Sequence, residues 1–331
     1  MKFGIILAAL AGFLGAAYLI FYVGFDAVLN AALSVGWGGF ALLCLWGLAN
    51  FTLLGMAWFL IVPPYRWHNA VTFAWSRAVR DSAGDVLPFS QIGGMVIGAR
   101  AAILRGVDKS RAFASMVVDV TMEMLAQIAF IIGGLIVLTF HLPGGASRTP
   151  LVENMIVGIL VAVLAAVAFF AVQRKGFAFF ERIAERFVPA AAAHAGALDR
   201  AINTIHAQPL RMMAGFAIHV LGWLAGAFGT WLILTLIGSP LTYLDAVAIE
   251  SLIGAARSAA VFVPGAIGIQ EAGYAVLVPL FGLPADIGVA VSLLKRAQQI
   301  AVGAPILLGW QLAEGGHALA LKNGELLLDR E

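Results

Sequence analysis

Charge is what this sequence has least of. Of 331 residues, 20 are Lys or Arg and 18 are Asp or Glu, so 11% of the chain is charged. A soluble domain carries about 25%. A chain this poor in charge cannot cover a water-facing surface, which excludes an ordinary soluble domain. Cysteine is nearly absent too. The single Cys44 excludes an intrachain disulfide, and its place in an apolar run marks a small packing residue. The six histidines show no metal-ligand spacing, and His219 reads as a core histidine. No phosphate-binding glycine loop, zinc motif or nucleophile elbow occurs. No metal, cofactor or catalytic residue is therefore expected. With a net charge of +2, no nucleic-acid partner is expected either.

Apolar residues fill the space that charge leaves, at 62% of the chain. Lipid must be the solvent for most of them, and a helical span needs about 20 in a row. Six runs qualify: 3–24, 36–62, 112–140, 151–173, 211–237 and 287–311. The first is too long for a signal-peptide core and is expected to be retained. The chain therefore reads as a single all-α polytopic membrane domain over 1–331.

Two further apolar stretches, 71–104 and 245–282, are broken near the middle by Pro88 and by Pro264-Gly265. Each is expected to form a re-entrant hairpin of two short helices. Broken backbone at membrane depth is tolerated only inside protein or beside a wet cavity. Lys and Arg cluster before the first span, between the second and third, between the fourth and fifth, and after the sixth. Six spans place all these stretches on the cytoplasmic side, with both termini. Residues 174–210 read as a cytoplasmic amphipathic connector, with Phe177, Phe180, Ile183 and Phe187 opposite Arg174, Arg182 and Arg186.

One offset recurs along the chain. Pro88 and Pro264 differ by 264 − 88 = 176, as do Phe40 and Phe216, Pro64 and Pro240, Ser82 and Ser258, and Gly133 and Gly309. The order of elements repeats with them, giving repeat 1 at 35–140 and repeat 2 at 211–316. Three spans separate equivalent positions 111 and 287. The second repeat is therefore inverted, an architecture of transporters that bind at the repeat interface.

Charges within apolar segments usually face the bundle interior or a wet cavity. Asp119, Glu123 and Gln127 share one helix face at i, i+4 and i+8. The sixth span carries Lys295, Arg296 and Gln299, with Asp119 equivalent to Lys295 and Glu123 to Gln299. One repeat thus supplies anions and the other cations. At 1.5 Å per residue, Glu123 and Arg296 both lie roughly 16–18 Å from the inner face of a ~30 Å core. They are expected to pair. The broken stretches add Arg80, Asp81, Asp85, Gln91 and Arg100 around Pro88, and Arg257, Gln270 and Glu271 around Pro264-Gly265. Ten of these residues form the candidate headgroup site: Arg80, Gln91, Asp119, Glu123, Arg257, Gln270, Glu271, Lys295, Arg296 and Gln299. Gly93-Gly94 and Gly133-Gly134 read as close-packing positions.

Four segments carry a family resemblance. They are Leu87-Pro88-Phe89-Ser90-Gln91-Ile92-Gly93-Gly94, Val117-Val118-Asp119 with Glu123, Pro264-Gly265-Ala266-Ile267-Gly268-Ile269-Gln270-Glu271, and Leu293-Leu294-Lys295-Arg296. Together they resemble the flippase-like transmembrane family named after lysylphosphatidylglycerol synthase. Arg80-Asp81-Ser82 and Ala99-Arg100 add similarity to its hopanoid-biosynthesis-associated branch, HpnL. The resemblance implies a bacterial inner-membrane protein that translocates an isoprenoid, hopanoid-type or anionic-headed lipid. Its implied partners are membrane lipids and lipid-biosynthesis enzymes. A proton-coupled solute transporter, a lipid-modifying enzyme and a non-transporting partner that recruits biosynthetic enzymes are the rival readings. Two positions depart from the family pattern: Met95 follows Gly94, and Val120 follows Asp119.

Overall fold

The computed structural model describes residues 30, 33–62, 67–87, 90–141, 200–239, 241–259 and 266–323. The expected spans 3–24 and 151–173, and most of the connector, lie outside these. Eight helices organise the described chain. They are α1 (Gly36–Ile61), α2 (Ala70–Val86), α3 (Ser90–Leu104), α4 (Lys109–His141), α5 (Pro209–Leu236), α6 (Tyr243–Ala259), α7 (Ile269–Leu277) and α8 (Ala285–Asn323). A 3₁₀ turn, Val278–Phe281, extends α7. Among the described residues every regular element is helical.

Three helices are long and apolar enough to cross a membrane: Gly36–Ile61, Lys109–Phe140 and Pro209–Leu236. They match three of the expected spans. The expected span 287–311 falls inside the 39-residue α8 but is less apolar, because it carries Lys295 and Arg296 mid-helix. Exterior and interior are reversed relative to a soluble protein. Trp37, Leu45, Phe140, Leu210, Met213 and Leu312 are exposed, while Arg77, Arg80, Asp119 and Arg296 are buried. Apolar surface of this kind is stable only against lipid.

Both broken stretches are helix–break–helix units. In the first, α2 ends at Leu87, whose extended backbone (ψ 151°) is the conformation required before Pro88. α3 then folds back along α2. Gly94 and Gly98 let the arms touch: a Cβ at Gly94 would lie 2.6 Å from the Arg80 carbonyl oxygen, and one at Gly98 2.6 Å from the Arg80 Cβ. In the second unit, α6 and α7 flank a break whose backbone turns left-handed at Ala266 (φ 49°) and Gly268 (φ 81°). The Glu271 carboxylate reaches back to the Gly268 N–H at 2.7 Å and caps α7.

Shifted by 176 residues, α1 to α4 fall on α5 to α8 with the same element order. Packing is reciprocal as well. α2 packs on α8 and α6 packs on α4, while α1 and α5 pack on each other. Glycines set these crossings. A Cβ at Gly134 would lie 1.9 Å from Ser251 Oγ, at Gly222 2.4 Å from Leu54, and at Gly215 2.6 Å from Ile61. Gly133 meets nothing within 4 Å and is not a close-packing position. Arg211 closes the C-terminal end of α1 by donating to the carbonyls of Leu60 and Val62 at 3.3 and 3.2 Å, which α1 leaves without intrahelical donors.

Candidate functional site

α2 is a charged helix by construction. Arg77, Asp81 and Asp85 recur every four residues, and Arg80 sits one turn along from Arg77. That stripe must face protein. It meets α4, where Asp119 and Glu123 share one face. Arg77 donates to Asp81 at 2.7 Å, to Asp119 at 3.1 Å and to Glu123 at 2.5 Å. Arg80 donates to Asp119 at 3.0 Å and to Glu123 at 2.6 Å. The second oxygen of Asp119 lies 2.9 Å from His219 Nε2 on α5. His219 is thus a buried core histidine, although its Nδ1 has no partner among the described residues. Both guanidiniums and Asp119 are almost wholly buried.

The second half of the chain carries its own pairs. Lys295 donates to Glu250 at 2.8 Å. Thr230 donates to the same carboxylate at 2.7 Å, and the Tyr274 hydroxyl also hydrogen-bonds to it. Arg296 donates to Glu271 at 2.9 Å and to Gln299 at 3.2 Å. Gln270 donates to Ser292 at 3.3 Å.

The expected pairing of Glu123 with Arg296 is corrected by these contacts. Glu123 belongs to Arg77 and Arg80, and Arg296 belongs to Glu271. Equal depth does not make two residues neighbours, and a cavity separates α4 from the Lys295 face of α8. Arg296 sits about 100° around the helix from Lys295 and turns to α7. The division into an anionic and a cationic repeat also fails. Among the described residues, each half neutralises most of its own charge. Two ion pairs cross between halves: Asp85 with Arg257 at 2.8 Å and Arg100 with Glu314 at 2.8 Å.

Between the halves lies a cavity of about 210 Å³. Its polar wall comprises Asn50, Asp85, Glu123, Glu250, Arg257, Lys295, Gln298 and Gln299. Its apolar wall includes Trp46, Phe51, Leu54, Trp223 and Val302. Gly47 on α1 and Gly222, Gly226 and Gly229 on α5 leave room for it. Of the ten residues singled out in the sequence, Glu123, Arg257, Lys295 and Gln299 reach this wall. Asp119 and Arg80 stand behind Glu123, and Gln270, Glu271 and Arg296 form a separate buried cluster. Gln91 lies in the first turn of α3, and its side chain lies outside the described residues. Sequence reasoning missed Arg77, Glu250 and His219 as members of the network, and it placed Asp85 beside the first break without a partner. The four-residue rhythm of α2 and the seven-residue spacing of Glu250 and Arg257 were the available signals.

An apolar exterior and long apolar helices define a multi-pass membrane protein, and a partly open cavity with charged residues on one wall lies between its halves. Residues 5–307 match the family described as lysylphosphatidylglycerol synthase TM region, and the chain belongs to that family. No curated protein and no solved structure matches it.

Proposed function

We propose that the protein translocates a lipid, its polar head passing through the cavity while its tail stays in the bilayer. The single observation that carries this reading is a 210 Å³ cavity with five charged residues, lined by helices whose outer faces are apolar. Burying so many charges in a bundle is costly. Family membership supports a role in lipid metabolism or transport. The volume suits a headgroup and not a whole lipid. On this reading the two sets of four helices are inverted repeats, with both hairpins re-entrant and both termini cytoplasmic. The isoprenoid or hopanoid substrate and the bacterial inner membrane follow from the resemblance to the HpnL branch. Lipid-biosynthesis enzymes would supply the substrate, and the protein itself would catalyse no covalent step.

The contact between Asp119 and His219 favours one second reading, a small-solute carrier driven by protons. Reconstitution separates the two. Vesicles containing the protein should expose tail-labelled lipid to an external quencher well above the rate of empty vesicles. A rate equal to that of empty vesicles would refute lipid translocation. A covalently altered lipid recovered from the vesicles would refute the non-enzymatic reading.

A further inference from the structure

The charges around the cavity are not suited to a purely anionic headgroup. Each cation on its wall already holds a carboxylate, Arg257 on Asp85 and Lys295 on Glu250. Glu123, the remaining charged wall residue, is tied to Arg77 and Arg80 behind it, and those two also hold Asp81 and Asp119. Around the wall and its backing, four cations thus face five carboxylates, with the imidazole left out. An anionic headgroup would deepen this excess in a medium of low dielectric, where like charges repel strongly.

The wall is also polarised along its length. At one end the Trp223 indole donates to the Glu123 carbonyl oxygen at 3.5 Å. Asn50 stands near Gly222 at that end, and its side-chain oxygen is buried with no partner among the described residues. A carboxylate, an orphan acceptor and an indole together recognise an ammonium group. At the other end Thr230 and Lys295 both hold Glu250. Trp223 and Thr230 are seven residues apart on α5, or about 10 Å along its axis. A phosphate and an ammonium joined by two carbons bridge such a span with a hydrogen-bond length to spare at each end.

We infer that the cavity selects a zwitterionic headgroup, its ammonium toward Glu123 and Asn50 and its phosphate toward Lys295. The phosphate shares Lys295 with the Glu250 carboxylate, which keeps its hydrogen bonds from Thr230 and Tyr274, and the ammonium brought in with the phosphate leaves the net charge of the site unchanged. This inference rests on the translocation reading but is tested by binding, which needs no transport. Purified protein in detergent would be offered phosphatidylethanolamine and phosphatidylglycerol with identical chains, in competition, and the retained lipid measured by native mass spectrometry. The expected result is at least about tenfold more phosphatidylethanolamine retained. Equal retention, or more phosphatidylglycerol, overturns the inference and leaves translocation standing. Two variants sharpen the test. Glu250→Gln frees Lys295 and should shift retention toward phosphatidylglycerol. Asn50→Leu lies outside the ion-pair network and should cut phosphatidylethanolamine retention severalfold without changing that of phosphatidylglycerol. If Glu250→Gln does not fold, Asn50→Leu alone decides, and unchanged phosphatidylethanolamine retention in it overturns the inference.

Discussion

Arg77 shows how much one side chain holds together here. Its three nitrogens reach Asp81, Asp119 and Glu123, and it is only 2% exposed. Removing it leaves three carboxylates with Arg80 alone. Breaking a buried pair in this way costs about 3–5 kcal/mol. Arg77→Gln should therefore lower thermal stability in detergent by that order and reduce folded yield. Arg77→Lys should recover only part of the loss, since an ammonium cannot fork to three partners. A melting temperature equal to wild type for Arg77→Gln would remove the residue from the scaffold. At this scale the sequence was half legible. That Asp119 and Glu123 share a face follows from helical period alone. Which cation meets them depends on which helices touch, and that is not written in depth along the membrane normal. Arg77 and Arg80 occupy both carboxylates, and Arg296 pairs with Glu271.

Elements were more legible than contacts. α2 and α3 begin and end close to the expected stretch because Pro88 ends one helix and a run of small residues starts the other. The same logic gave α6 and α7 around Pro264-Gly265. In the sequence the close approach of the hairpin arms was marked only by Gly93-Gly94, and its partner was not visible. It is the Arg80 turn of α2. Gly98→Leu would drive a side chain into Arg80 and Ser76 and push α3 away from the helix that carries the ion network. The expected outcome is a loss of folded protein comparable to that of Arg77→Gln. Gly133→Leu, at an open position, should be neutral. Size-exclusion profiles of the two variants make the comparison, and equal profiles would show that the arms do not need their glycines.

For the whole molecule, the offset of 176 residues governs both the order of elements and the reciprocal packing of α2 on α8 and α6 on α4. The proposed inversion of the two halves yields a direct expectation. Asp108, between α3 and α4, and Pro284, before α8, are equivalent positions (108 + 176 = 284), and both are exposed. In a Cys44→Ser background, single cysteines there should be labelled from opposite sides of sealed vesicles. Labelling of both from one side would sink the inverted arrangement.

The charged stripe of α2 also bears on how such a protein is made. Residues 70–86 leave the ribosome carrying Arg77, Arg80, Asp81 and Asp85. A charge at mid-span costs about 2.5–3.5 kcal/mol on insertion scales. Within α2 itself only Asp81 is in reach, of Arg77 at 2.7 Å and of Arg80 at 3.8 Å. The other partners arrive later, Asp119 and Glu123 on α4 and Arg257 on α6. The first hairpin therefore has no favourable reason to enter the bilayer in the order in which it is synthesised. It must wait at the interface until α4 brings its carboxylates, and its far end stays incompletely neutralised until α6 follows. Biogenesis of this fold thus runs out of sequence order: in a chain stopped before residue 119, α1 should cross the bilayer while the first hairpin stays at the interface.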